Sequence, residues 1–140
     1  MPLNKMEITT LISVITENRT GVLAEIAEAM GSANINIDAL AGEGLGEIGI
    51  IRIVTNDPKR TAEILQKRNF KIVESEVFVI NVPNRPGQLK KISDVLSQKR
   101  LNIEFIYQQT SEDKGSSKVI IKVNENYKSK ARDVLEDAKF

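Results

Sequence analysis

The chain has 140 residues, 41% of them hydrophobic, a formal net charge of +1, and neither cysteine nor histidine. That size and hydrophobic share fit one ordinary globular domain or two small ones. Disulfides, thiolate nucleophiles, zinc fingers and Ser-His or Cys-His pairs are excluded, and the near-neutral charge gives no whole-chain pull toward nucleic acid or acidic membranes.

Met1 to Thr10 lacks the apolar run of a signal peptide, and no stretch approaches the ~20 apolar residues that span a bilayer. The expectation is a soluble, cytoplasmic protein. Ile8 to Thr16 reads as a strand, and Glu17 to Gly21 as a polar turn. Leu23, Ile26, Ala27 and Met30 then recur at helical spacing, with Gly31 and Ser32 as the expected stop. Ile35 to Leu40 reads as a second strand, Gly42 to Gly46 as a flexible hairpin connection, and Ile48 to Val54 as a third strand. Asn56-Asp57-Pro58 opens a second helix that buries Ala62 and Leu65, and Phe70 to Val73 is a short fourth strand. The order is β-α-β-β-α-β.

The same order starts again at once. Val77 to Val82 is a strand, Leu89, Ile92 and Leu96 line a helix, and Ile103, Phe105 and Tyr107 alternate along a strand. Thr110 to Ser117 is a longer polar loop before a strand over Lys118 to Val123. The repetition is visible in the residues themselves. Asn18-Arg19-Thr20-Gly21-Val22-Leu23 returns as Asn84-Arg85-Pro86-Gly87-Gln88-Leu89, an offset of 84 − 18 = 66, and Ile35-Asn36-Ile37 returns as Leu101-Asn102-Ile103. Beyond the second hairpin the offset grows to 70, matching Asn56 to Asn126, Leu65 to Leu135 and Phe70 to Phe140. The four extra residues are assigned to that hairpin loop. Nothing after Phe140 corresponds to Lys71-Ile72-Val73. The second unit therefore lacks its own fourth strand, and its edge must be left open, covered, or completed by another segment or chain. The expected domains are 7–75 and 76–140.

Each Asn-Arg-x-Gly turn joins a strand to a helix N-terminus, where free N–H groups and the helix dipole favour an anion such as a carboxylate. Glycine there permits positive φ and lets a ligand approach the backbone. Asparagine offers a donor and an acceptor. The alternative is a tight turn with no ligand. Asn36 and Asn102 open strand two of each copy. They would add a polar contact if strands one and two are neighbours; otherwise they cap backbone. The Gly42-x-Gly44-x-Gly46 run precedes a strand, so it fails the context of a dinucleotide or phosphate loop. Basic residues of the second copy's helices interleave with acids and read as solvated faces. Phe105 and Tyr107 read as core. No metal or cofactor is expected.

These residues resemble the ACT domain, a β-α-β-β-α-β amino-acid-sensing module. The resemblance rests on Glu17-Asn18-Arg19-Thr20-Gly21-Val22-Leu23 with Ile35-Asn36-Ile37, and on Asn84-Arg85-Pro86-Gly87-Gln88-Leu89, and covers about Ile8 to Phe140. It implies an α+β chain of two ferredoxin-like units, each with an antiparallel sheet and helices on one face. It also implies a small ligand, usually an amino acid, bound where ACT units meet. The ligand-binding set it implies is Asn18, Arg19, Thr20, Gly21, Val22, Leu23, Asn36 and Ile37, with Asn84, Arg85, Pro86, Gly87, Gln88, Leu89, Asn102 and Ile103. Serine-sensing members have a histidine two residues before the first asparagine; Thr16 and Val82 stand there instead.

The expected function is a non-enzymatic regulatory protein. Its partners would be an amino-acid ligand, a second copy in a homodimer, and a regulated metabolic enzyme, with no nucleic acid and no membrane. One alternative is a regulatory subunit that binds only protein, such as the small subunit of an amino-acid biosynthetic enzyme. Another is an acylphosphatase-like hydrolase with Arg19 or Arg85 as anion binder.

Overall fold

Alternation of apolar residues builds the strands, and helical spacing supplies the faces that cover them. The structure is a computed structural model describing residues 6–140; Met1 to Lys5, part of the stretch read for a signal peptide, lie outside it. The elements are β1 (Met6–Glu17), α1 (Val22–Ser32), β2 (Ile37–Leu45), β3 (Ile48–Thr55), α2 (Pro58–Lys67) and β4 (Lys71–Pro83). They continue with α3 (Gln88–Gln98), β5 (Ile103–Thr110), β6 (Ser116–Val123), a 3-10 turn (Glu125–Tyr127) and α4 (Lys128–Asp137). Among the described residues no helix is long and apolar enough to cross a membrane.

The described residues form two compact units, Thr10–Ser75 and Glu76–Phe140, the latter including residues 6–9. In the first, the strand order is β2-β3-β1 with the start of β4 beside β1, all resolved pairs being antiparallel. Ile12 and Val14 of β1 and Ile51 and Ile53 of β3 point to one face. There they meet Val22, Ile26, Ala29 and Met30 of α1 and Ala62 and Leu65 of α2. In the second, the order is β4-β6-β5. Phe78, Ile80 and Val82 pack there with Val119, Ile121 and Val123 under Ile92, Leu96, Ala131 and Leu135.

The fourth-strand place of the second unit's sheet is taken by the first residues of β1. β1 starts at Met6, earlier than the sequence suggests, and it is the other hydrogen-bonded neighbour of β4. Residues 6–9 cluster with Glu76–Phe140, and Met6 packs on that unit's core. Residues 7–9, assigned above to the first domain, thus sit with the second unit.

α1 stops at Ser32, as expected. The cap that ends it is Asn34 at φ 57, where Asn34 N–H donates to Gly31 O and Ile35 N–H to Met30 O. These are the two bonds of a Schellman motif, closed by buried Ile35 and Met30. Two other expectations are corrected. Gly42 and Gly44 are not a flexible connection: they lie within β2, paired with Ile51 and Gly49, and only Gly46 and Glu47 turn the hairpin. The four extra residues of the second copy are split. Gly44 pairs with Gly49 and Thr110 with Ser117, so the offset past the hairpin is 117 − 49 = 68. The remaining two precede α4, where the 3-10 turn sits, and buried Leu65 and Leu135 restore 135 − 65 = 70. Asn124, capping that turn, is therefore the counterpart of Asn56, in place of Asn126.

Candidate functional site

The two Asn-Arg-x-Gly turns fold alike because each asparagine bridges the turn to the neighbouring hairpin. Asn18 donates its backbone N–H to Glu47 O at 2.9 Å and its amide Nδ2–H to Gly46 O at 3.0 Å. Asn84 makes the same pair of bonds, to Gly115 O at 3.1 Å and Lys114 O at 3.0 Å. The asparagine amide is thus first a clamp on the hairpin. Its Oδ1 is the atom with acceptor capacity to spare.

Gly21 and Gly87 follow with φ of 92° and 86°, left-handed values that a side chain disfavours. Each is the N-cap of its helix, and neither helix has a side-chain cap. The first intrahelical bond of α1 runs from Glu25 N–H to Gly21 O, so the N–H groups of Val22, Leu23 and Ala24 precede the helical ladder. At α3 one of the equivalent groups is used, Gln88 N–H donating to Arg85 O at 3.2 Å.

A cleft of about 470 Å³ opens beside the first turn. Asn18, Gly21, Val22 and Leu23 form one side, and Leu40, Gly42, Gly44, Gly49 and Ile51 the other. The glycines are what keep it open. Gly44 has no room for a side chain, since a Cβ there would lie 2.5 Å from Asn18 Nδ2. A Cβ on Gly49 would lie 3.2 Å from Glu17 O. The volume is within the range of about 300–1,000 Å³ usual for small-molecule sites. Leu23 and Leu40, both large and exposed, edge it. No local pattern marks Leu40, Gly42, Gly44, Gly49 or Ile51 as site residues, because strand pairing brings them there. A second cleft, lined by Arg19, Glu25, Arg68 and Lys71, lies beside the same turn at the C-terminal end of α2.

Arg19 turns toward Glu25, with Nη2 2.8 Å from Oε2, and that hydrogen bond with the carboxylate's charge raises the guanidinium pKa. The second copy has Lys91 in place of Glu25, so Arg85 has no acid at that position.

Asn36 and Asn102 do not join the turns. β3 lies between β1 and β2, so the condition of neighbouring strands fails. β2 also begins at the other end of the sheet: Ile37 pairs with Thr55, whereas Glu17 pairs with Ile48. Seven residues of strand separate the two ends, roughly 23 Å. Asn36 exchanges bonds with Asn56 there and donates to Asp38 Oδ1 at 2.6 Å. Ile37 packs partly buried on the first core and Ile103 on the second. Phe105 and Tyr107 pair with Lys122 and Ile120, half-buried and outside the core that lies under the helices.

A family model described as an ACT domain pair matches residues 6–140. No curated protein matches. Among solved structures, protein BT0572 from Bacteroides thetaiotaomicron is 28% identical with a TM-score of 0.83, over 94% of this chain and 89% of that one. The regulatory subunit of aspartate kinase from Thermus thermophilus is 16% identical with a TM-score of 0.68, over 98% and 97%. A structure of aspartokinase alpha and beta subunits is 23% identical with a TM-score of 0.64, over 95% and 95%. The last two likenesses show a shared fold. With a β-α-β-β-α-β order that begins again at β4 and a family match over nearly its whole length, the chain belongs to the ACT domain pair family.

Proposed function

We propose that this chain is a regulatory protein, not an enzyme, that binds a free amino acid at the Asn-Arg-x-Gly turns. The observation that carries the reading is the first turn. There an uncapped helix start, a left-handed glycine and a glycine-lined cleft of about 470 Å³ converge. The ligand's carboxylate accepts from the N–H groups of Val22 to Ala24, in the field of the α1 dipole. Its ammonium faces Asn18 Oδ1, and its side chain lies between Leu23 and Leu40.

The fold neighbours that regulate aspartate kinases support a regulatory role, in which ligand binding favours one packing of units and so alters a partner enzyme. Such a partner, a homodimeric state and a cytoplasmic location complete the proposal. Asn36, Ile37, Asn102 and Ile103 lie at the far ends of their sheets. They meet a ligand only when a second copy brings that end to a turn, as in a homodimer.

Calorimetry with the twenty amino acids on the full chain tests the reading. Saturable heat from at least one is expected. No binding by any at millimolar concentration, with co-purification of a protein partner, would favour a subunit that binds only protein. Turnover of acetyl phosphate would favour the hydrolase.

A further inference from the structure

We propose that the second unit's turn takes a ligand bearing a carboxamide, read by the side chain of Gln88. The inference rests on the amino-acid-binding reading and specifies the ligand class for one of its two turns. Gln88 opens the eleven-residue helix α3 directly after left-handed Gly87. It is 5% exposed, and neither Nε2 nor Oε1 has a hydrogen-bond partner. Among the described residues it is the one so left. A buried amide without partners is costly, and the fold does not need it, since Val22 fills the same place in the first unit.

The change to polar character is not confined to Gln88. Around Val22 the first cleft is lined by Gly42, Gly44 and Gly49. Their counterparts in the paired strands are Gln108, Thr110 and Ser117. Ser117 is buried, and Gln108 Nε2–H donates to its Oγ at 3.3 Å. Exposed Leu89 and Ile106 hold the rim positions of Leu23 and Leu40. Where the first unit has Val22 and three glycines, the second thus has a polar set with one amide unpaired.

Gln88 presents N–H donors and a carbonyl acceptor side by side. A second carboxamide meets both, through two antiparallel N–H···O bonds. A carboxylate only accepts and leaves Oε1 unpaired; an alkyl group leaves both atoms unpaired. Polar sites built this way reject ligands that cannot complete the pairing. The ligand class is therefore asparagine or glutamine, whose α-carboxylate meets the start of α3 beside Arg85.

The test is an NMR titration of the labelled full chain with L-asparagine and L-glutamine, using L-aspartate, L-glutamate and L-leucine as contrasts. One of the two amides should move the Gln88 side-chain and Gly87 backbone signals and bind about tenfold or more tighter than the acids. Gln88→Leu should erase that preference without lowering the thermal midpoint, because it removes an unpaired buried amide. Should Gln88→Leu fail to fold, Gln88→Met, unbranched like glutamine and without donor or carbonyl, should lose the same preference. Unmoved Gln88 signals, or unchanged amide affinity in a folded variant, would overturn the proposal. Shifts confined to Gly21 would overturn it while leaving the amino-acid reading in place; shifts at neither turn would remove both.

Discussion

Asn18 packs its carboxamide against the backbone of Gly44, so closely that a Cβ on Gly44 would stand 2.5 Å from Asn18 Nδ2. The same amide holds the Gly46 carbonyl, so the contact and the clamp depend on each other. Gly44→Ala should push the amide off that carbonyl and cost about 1 kcal/mol, the net worth of one hydrogen bond. Urea denaturation should show a lower midpoint at unchanged slope. Gly42→Ala, whose Cβ would meet Ile51 Cγ1 at an ordinary 3.8 Å, should change stability by no more than about 0.5 kcal/mol.

At Gly21 and Gly87 nothing lies within 4 Å of an added Cβ, so the obstacle to a side chain is conformational, from φ of 92° and 86°. Gly21→Ala and Gly87→Ala should each cost about 1–2 kcal/mol through left-handed strain. Equilibrium unfolding checks this. An unchanged midpoint for both would mean that positive φ at these turns is dispensable.

Supply of the second unit's fourth strand by β1 makes a regional prediction. Removing residues 1–9, or placing a charge in Met6→Asp, uncovers the β4 edge and the core around Phe78. Hydrogen exchange should lose protection in β6 and in the part of β4 from Glu76 to Pro83 more than in β3, within Thr10–Ser75. Equal loss in both units would contradict the assignment of residues 6–9.

Titration should leave a broad plateau of stability. The Ser32 hydroxyl and Arg68 lower the pKa of Glu28, Lys122 lowers that of Glu104, and Ser111 with the Gly115 N–H lowers that of Asp113. A carboxylate lowered by folding contributes stability above its unfolded value, lost as pH falls through the folded one. The losses therefore belong below about pH 4. Lys128 is raised by Glu125 and Glu76 and acts oppositely, losing its contribution only as pH rises beyond the lysine range. With no histidine or cysteine, urea midpoints should hold steady between pH 6 and 8 and fall by pH 3. A fall between pH 8 and 6 would contradict this.

Much of the fold was legible because the duplication shows each apolar pattern twice, and the turns announced themselves by Gly21 and Gly87. What stayed hidden depends on pairing between distant segments. The Gly42 and Gly44 pattern looks like a loop until β3 is laid beside it, when the glycines become the floor of a cleft under Asn18. Whether Asn36 joins the turn or caps backbone depends on strand order, and β2-β3-β1 is not written in element order. The role of Met6 was invisible because completion of one unit's sheet by a strand distant in sequence leaves no local signal. The divergence of Val22 and Gln88 was in plain view, but only burial shows that the glutamine lacks partners.

The central claim is that an amino acid sits against the backbone at the Asn-Arg-x-Gly turns. A crystal structure grown with saturating amino acid from the calorimetric panel tests it most directly. Density for a carboxylate within hydrogen-bond distance of the N–H groups after Gly21 or Gly87 is the result expected. A ligand bound elsewhere, with both turns empty at saturation, would contradict the account.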